Sequence, residues 1–541
     1  MKKRNRFHKR VLSGTKCIRP YRRSLFLILV LGVCLSSCVG LSQETVNPMM
    51  STPAELTFKQ YEVATGAGKH QTVLTGFMLG GDLAELAIVN IDKNNDRHLR
   101  IYAFSNNTWA PKIDITLRPE VLFVDVINIG GVDRLIMYEH GHLNWFDPES
   151  STEHLLVTVP SMIVPPDGNI PHVDITRDVN GDARDDLVMP DSDGFWVFIQ
   201  TKEGVFADPM KLGTLTKKDR IYEVDGYQHT PWNQSRIHEM DYNRDGRTDL
   251  VFWNVDHFKV HSQDKHGLFA SVATTFTTDI VFDSDDLASL AAPYGVRRRR
   301  RDHQPTGALT GRVLHSLTDM NGDGIADLGV FSLKGGSLWG MHSTYEVHFG
   351  TSTPDGGTIF APDIDIEIQS DGIPFGMWQH DFNHDGQVDM MFTTLKLRIF
   401  KIIGMLAHSA LTGSDLRDLQ FYTMEGSIYP DKPNATRKIK TNTRSKSGEK
   451  SVTYPPVLIG DVNGDRHSDL LTGWGRKELR VFLGTPGLDL FARKPHKIAV
   501  TIPNNEEHTW LVNLNKDNKQ DILLYHPSTT DPHRVTLLIA R

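Results

Sequence analysis

Cysteine is nearly absent from this 541-residue chain: Cys17, Cys34 and Cys38 are the only three. All lie at the N-terminus, so a disulfide framework for the body is excluded, and packing and bound ions are left to hold it. Long apolar runs are scarce too. The run from Leu25 to Leu35 is 11 residues long, short of the ~20 that a helix needs to cross a bilayer. Helical periodicity is hard to find anywhere in the body. No Gly-x-Ser-x-Gly, His-Glu-x-x-His or phosphate-binding glycine loop occurs, so the local signatures of α/β-hydrolases, zinc peptidases and P-loop NTPases are missing. A basic surplus is also lacking. Lys and Arg number 59 against 66 Asp and Glu, for a formal charge of −7. Ten of those basic residues, and no acidic one, fall in residues 1–37, so the remainder carries 49 against 66 and nets −17. An acidic body argues against nucleic acid as a partner.

The N-terminus itself reads as an export signal. A basic stretch through Arg23 precedes the apolar run, which ends in Leu35-Ser36-Ser37-Cys38. That order of charge, short apolar core and small residues fits a signal peptide over residues 1–37. The ending resembles the lipobox of bacterial lipoproteins, which implies lipidation of Cys38. Val39 after it, where inner-membrane retention uses aspartate, implies outer-membrane sorting in a Gram-negative cell envelope. Residues 38–54 are polar and serve as a tether, leaving 55–541 as the body.

What the body has in abundance is one loop. Asp-x-Asn-x-Asp-x-x-x-Asp followed by an apolar residue occurs five times. The oxygen-bearing sets are Asp178, Asn180, Asp182, Asp186; Asp241, Asn243, Asp245, Asp249; Asp319, Asn321, Asp323, Asp327; Asp381, Asn383, Asp385, Asp389; and Asp461, Asn463, Asp465, Asp469. A sixth copy, Asn513, Asn515, Asp517 and Asp521, opens on Asn. Two weaker units extend the array: Asp125 to Asp133 keeps the first and last carboxylates with Ile127 and Ile129 between, and the unit ending at Glu85 keeps the turn and exit strand but little of the ligand set. Eight units result, with ninth positions spaced 48 to 80 residues apart.

Each strong loop leads into a short apolar strand such as Asp186-Leu187-Val188-Met189. A second, alternating strand follows: Phe195-Trp196-Val197-Phe198-Ile199, Tyr345-Glu346-Val347-His348-Phe349, Leu397-Arg398-Ile399-Phe400 or Leu479-Arg480-Val481-Phe482-Leu483. Period-two patterning bounded by turn residues makes this an all-β array. Two insertions are strongly basic. Arg297 to Arg301 is an unbroken arginine run, and the Lys432 to Lys450 segment reads as an excursion from its blade.

Alternate side chains in a tight loop converge, so positions one, three and five offer hard oxygens to a calcium ion (Ca2+), with a carbonyl near position seven and the carboxylate at position nine completing the shell. An EF-hand would need a bidentate Glu at position twelve. That position is Met189, Phe252, Val330, Phe392 or Thr472, and the EF-hand is excluded.

At this point the loops, with Phe349-Gly350 and Leu483-Gly484 at strand ends, resemble the FG-GAP/VCBS repeat of integrin α-subunits and many bacterial surface proteins. The resemblance implies a β-propeller of seven or eight four-stranded blades, eight favoured by the unit count as in the related rhamnogalacturonan lyases, with calcium loops on one face. Arg534 to Ala540 is then expected to share a sheet with an early strand such as Leu56-Thr57-Phe58.

Two functions compete. One is a monomeric binding or scaffold module for a glycan or protein, reaching the membrane only through its N-terminal lipid. Trp145, Trp232, Trp253, Trp378 and Trp474 are the candidate sugar platforms, each equally able to pack between blades. The alternative is a polysaccharide lyase of the rhamnogalacturonan-lyase type, which needs a base and a charge-neutralising cation. His140, His142, His238, His315 and His380 sit at different offsets from their loops and repeat no pocket. The binding module is the favoured expectation, and catalytic residues are unassigned.

Overall fold

The computed structural model describes residues 56–541 apart from 162–168, 214–227, 230–236, 284–309, 335–341, 355, 371–372, 396–413, 443–454 and 529–531. The signal, tether, Cys38, Trp232 and the arginine run lie outside the described residues.

Eight antiparallel sheets follow one another along the chain, each built on four strands. Numbered by their acidic loops, blades 1 to 8 have second strands that open on or beside position nine: Glu85–Ile91, Val132–Glu139, Asp186–Asp191, Asp249–Asn254, Asp327–Lys334, Asp389–Leu395, Asp469–Gly473 and Asp521–His526. These strands read as continuous apolar runs because both of their faces are covered. In blade 3, Leu187 and Met189 pack toward blade 2 while Val188 packs toward blade 4.

The core is accordingly distributed. Eight hydrophobic clusters occur, and every one joins residues of two successive blades. The last cluster closes the circle: Leu523, Tyr525, Val535 and Leu537 of blade 8 pack with Leu86, Ile88 and Tyr102 of blade 1. The molecule is an eight-bladed β-propeller. Among the described residues the one helical element is the single turn Glu506–His508, and no helix is long and apolar enough to cross a membrane.

Ring closure follows the expected arrangement and is more extensive. Phe58–Gly66 is the outer strand of blade 8, antiparallel to His533–Ala540, with Phe58 opposite Ala540 and Val63 opposite Val535. Blade 2 is widened at its inner edge by two short parallel strands, His172–Val173 and Gln228–His229. Blade 5 carries an extra hairpin, Gly350–Ser352 with Thr358–Phe360.

Two expectations are corrected. The strand expected at Leu397 to Phe400 falls outside the described residues, and the third strand of blade 6 is Ser414–Tyr422. The basic segment is not wholly an excursion: Ala435–Asn442 is the outer strand of blade 6. Alternation explains it, since Ala435 and Ile439 bury against the seam with blade 7 while Thr436 and Lys438 remain exposed.

Candidate metal loops

Each strong loop joins the first and second strands of its blade. Position one gathers amides. Asp319 accepts from Gly322 N at 2.7 Å and Gly324 N at 2.8 Å, and Asp461 accepts from Gly464 N and from Arg466 N at 2.8 Å. That gathering requires left-handed backbone at positions four and six. Gly322 and Gly324 have φ of 77° and 82°, and the same conformation is forced on Ala183, Arg244, His384 and Arg466 in other loops. Left-handed residues alternating in this way aim successive N–H groups inward, a nest that binds anions. Position three locks to position five: Asn321 Nδ2 donates to Asp323 at 3.0 Å, and the Asp323 N–H returns to Asn321 Oδ1 at 3.0 Å. The same reciprocal pair forms in blades 3, 6, 7 and 8. In blade 8 no loop amide is directed at Asn513, the residue that replaces the first aspartate.

Position nine does a job the sequence reading missed. Asp186, Asp249, Asp327, Asp389, Asp469 and Asp521 are fully buried. One oxygen of each accepts the N–H of position two, and the other accepts an N–H at the end of the third strand. For Asp469 these donors are Val462, at 2.9 Å, and Gly484, at 2.7 Å. The fixed apolar residue at position ten and the strand-end glycine were the available signals for such a bracket.

The donor set fits calcium in kind. Every side chain at positions one, three, five and nine is an oxygen donor, and a carboxylate oxygen holding one N–H keeps a second lone pair. Charge is also in surplus. Burial pushes the Asp389 and Asp469 carboxyls up to about 7, against the pull of their backbone N–H partners, and the aspartates at positions five and one of the same loop push further upward. A divalent cation offsets such repulsion. As they stand the carboxylates are turned to loop amides, and among the described residues no three acidic or histidine side chains are gathered as a metal cluster.

Neighbouring blades touch at this end around the whole ring. Ala84 N donates to Leu514 O at 2.9 Å, Phe77 N to Asp133 at 2.8 Å, and Asn128 N to Asp185 at 2.7 Å. Gln263 Nε2 reaches Asn180 O at 2.8 Å, and Tyr242 stacks on Phe276, which meets Phe360 of blade 5. Val388 N binds Met320 O, His380 pairs with Ser468, and Gln520 N binds Asp461 O. The two weak units differ. Blade 1 keeps a loop between Gly76 and Glu85, whose carboxylate accepts the N–H groups of Met78 and Leu79, and blade 2 replaces the loop with a tight Gly130-Gly131 hairpin.

In blade 2 Asp125 instead holds His172 at 2.8 Å and the N–H of Ile175. Burial opposes charge on His172, but Asp125 outweighs it and raises the histidine above its ordinary pKa. A raised folded pKa means the pair's stabilisation is full below the unfolded value of about 6.5 and is lost as pH rises through the folded value. The melting temperature of His172→Gln is therefore expected to fall further below wild type at pH 6 than at pH 9. Equal differences at both pH values would show that the imidazolium contributes nothing.

The four candidate tryptophans among the described residues have packing partners. Trp145 lies between Arg134, 3.8 Å from its ring centre, and His154, stacked at 4.8 Å. Trp253 is flanked by Phe258 and Phe282, Trp378 packs on the blade 6–7 core, and Arg480 covers Trp474 at 3.5 Å. His238, His315 and His380 stand on inner strands of three different blades, and His140 and His142 flank a turn of blade 2.

A closed eight-bladed propeller with acidic first loops on six consecutive blades is the class of protein defined by this fold and site. No protein-family model matches the chain, and no curated protein matches it. Among solved structures it is similar to the WD40 domain of SCAP from fission yeast, at 9% identity and a TM-score of 0.28, over 89% of this chain and 98% of that one.

Proposed function

We propose that this chain is a propeller of the FG-GAP/VCBS type, stabilised by calcium, which serves as a binding or scaffold module for a glycan or protein. The observation that carries this reading is the ring of loops. Six consecutive blades bring oxygen donors of one pattern to the same end of the sheets, each blade bonded or packed to the next beside its loop. Carboxylates used this way rigidify one face and leave the other turns free to vary, as binding scaffolds require. The N-terminal sequence supports residues 1–37 as a signal, lipidation at Cys38, residues 38–54 as a tether, and placement at the outer membrane of a Gram-negative envelope.

The test separates binding from lyase chemistry. Purified protein is incubated with acidic polysaccharides while absorbance of unsaturated uronides is followed. Retention on a polysaccharide or protein column without any absorbance rise is the expected result. A calcium-dependent rise would replace the binding reading with the lyase.

A further inference from the structure

Position seven divides the six loops into two kinds. Position seven is Arg184 in blade 3 and Arg247 in blade 4, but Ile325, Gln387, His467 and Lys519 in blades 5 to 8. Both arginines are held alike. Arg184 donates through Nε to Gln200 O at 3.1 Å and through Nη2 to the position-five carboxylate of Asp182. Arg247 donates through Nε to Gln263 O at 3.1 Å and through Nη2 to Asp245. Each guanidinium thus bridges its loop to the end of the third strand, beside the N–H that Asp186 or Asp249 grips.

No other loop has such an internal cation. Ile325 carries no charge, and Gln387 Oε1 accepts the N–H of Ser427. His467 approaches Asp465 only at 3.4 Å, and Lys519 makes no ion pair among the described residues, its methylenes lying along Gly464 of blade 7.

We propose that Arg184 and Arg247 are the resident cations of blades 3 and 4, standing in for the metal ion that the remaining loops take up. This rests on the calcium reading above. A guanidinium remains charged at all accessible pH and binds carboxylate oxygens in a fixed fork. It cancels one of the three carboxylate charges at positions one, five and nine and occupies a position-five oxygen that a calcium ion would need. Calcium affinity in such loops tracks the number of charged ligands, so the arginine loops lose both donor and charge. The ring is then part ion-dependent and part ion-independent: blades 3 and 4 stay ordered when calcium falls, and blades 5 to 7 respond to it most, the blade 8 loop having one carboxylate fewer because Asn513 stands first.

Counting ions in the full-length protein at 1 mM calcium by native mass spectrometry tests this. Wild type is expected to hold no more than four. The Arg184→Gln/Arg247→Gln double variant is expected to gain two, and each single variant one. In chelator, the double variant should melt below wild type, with calcium restoring the difference. Single variants guard against a double variant that does not fold. Five or six ions in wild type, or no gain in any variant, would overturn the assignment while leaving the calcium reading intact. A count of zero in every form would overturn both.

Discussion

Chelation of calcium is expected to lower the melting temperature of the protein by about 6 °C. An ion at tenfold excess over its dissociation constant stabilises the folded state by about 1.4 kcal/mol, so four loaded loops contribute about 6 kcal/mol. Unfolding entropy of about 2 cal/mol/K per residue, over about 480 folded residues, gives roughly 1 kcal/mol per degree. The loss should be graded along the chain. Hydrogen exchange in the second strands Asp327–Lys334, Asp389–Leu395 and Asp469–Gly473 should accelerate, and that in Asp186–Asp191 and Asp249–Asn254 should not. A melting curve unmoved by chelator would show that the loops are held by their amides alone.

Replacing a position-nine aspartate should be as damaging and should not depend on calcium. Asp469→Ala removes the acceptor for two buried amides, those of Val462 and Gly484. Each orphaned N–H costs about 1–3 kcal/mol, and the total of about 2–6 kcal/mol compares with a typical whole-domain stability of about 5–15 kcal/mol. Asp465→Ala, at the exposed position five of the same loop, should cost about 0.5 kcal/mol or less in chelator. Denaturant unfolding of the two variants in chelator decides the matter. An Asp469→Ala protein no less stable than Asp465→Ala would remove the bracket role.

The strand order, the blade count and the closing strand pair were legible because they rest on spacing and period-two alternation. That positions one, three and five carry oxygen-bearing side chains in one recurring loop was legible for the same reason. Position nine was misread in emphasis: sequence reports that an aspartate is present but not that its two oxygens face two different strands. The arginines at position seven were visible throughout, yet nothing in a linear reading says that Nη2 turns back two residues to Asp182 or Asp245. The tryptophans show the same limit, since covering an aromatic face takes partners such as Arg134 and His154 that lie on adjacent strands. In blade 6 a large insertion displaced the third strand beyond the alternating stretch Leu397 to Phe400, and local patterning had no means of detecting that.

The pairing of Phe58–Gly66 with His533–Ala540 also orders events in time. The outer strand of blade 8 is synthesised before blades 1 to 7, and its partner after them. Until His533–Ala540 has been made, every growing chain carries an unsatisfied strand edge, and a chain truncated before that strand leaves the edge open for good. An open strand edge is a template for pairing with another chain, so truncations that remove His533–Ala540 should be read as aggregation lesions rather than as the loss of a few residues.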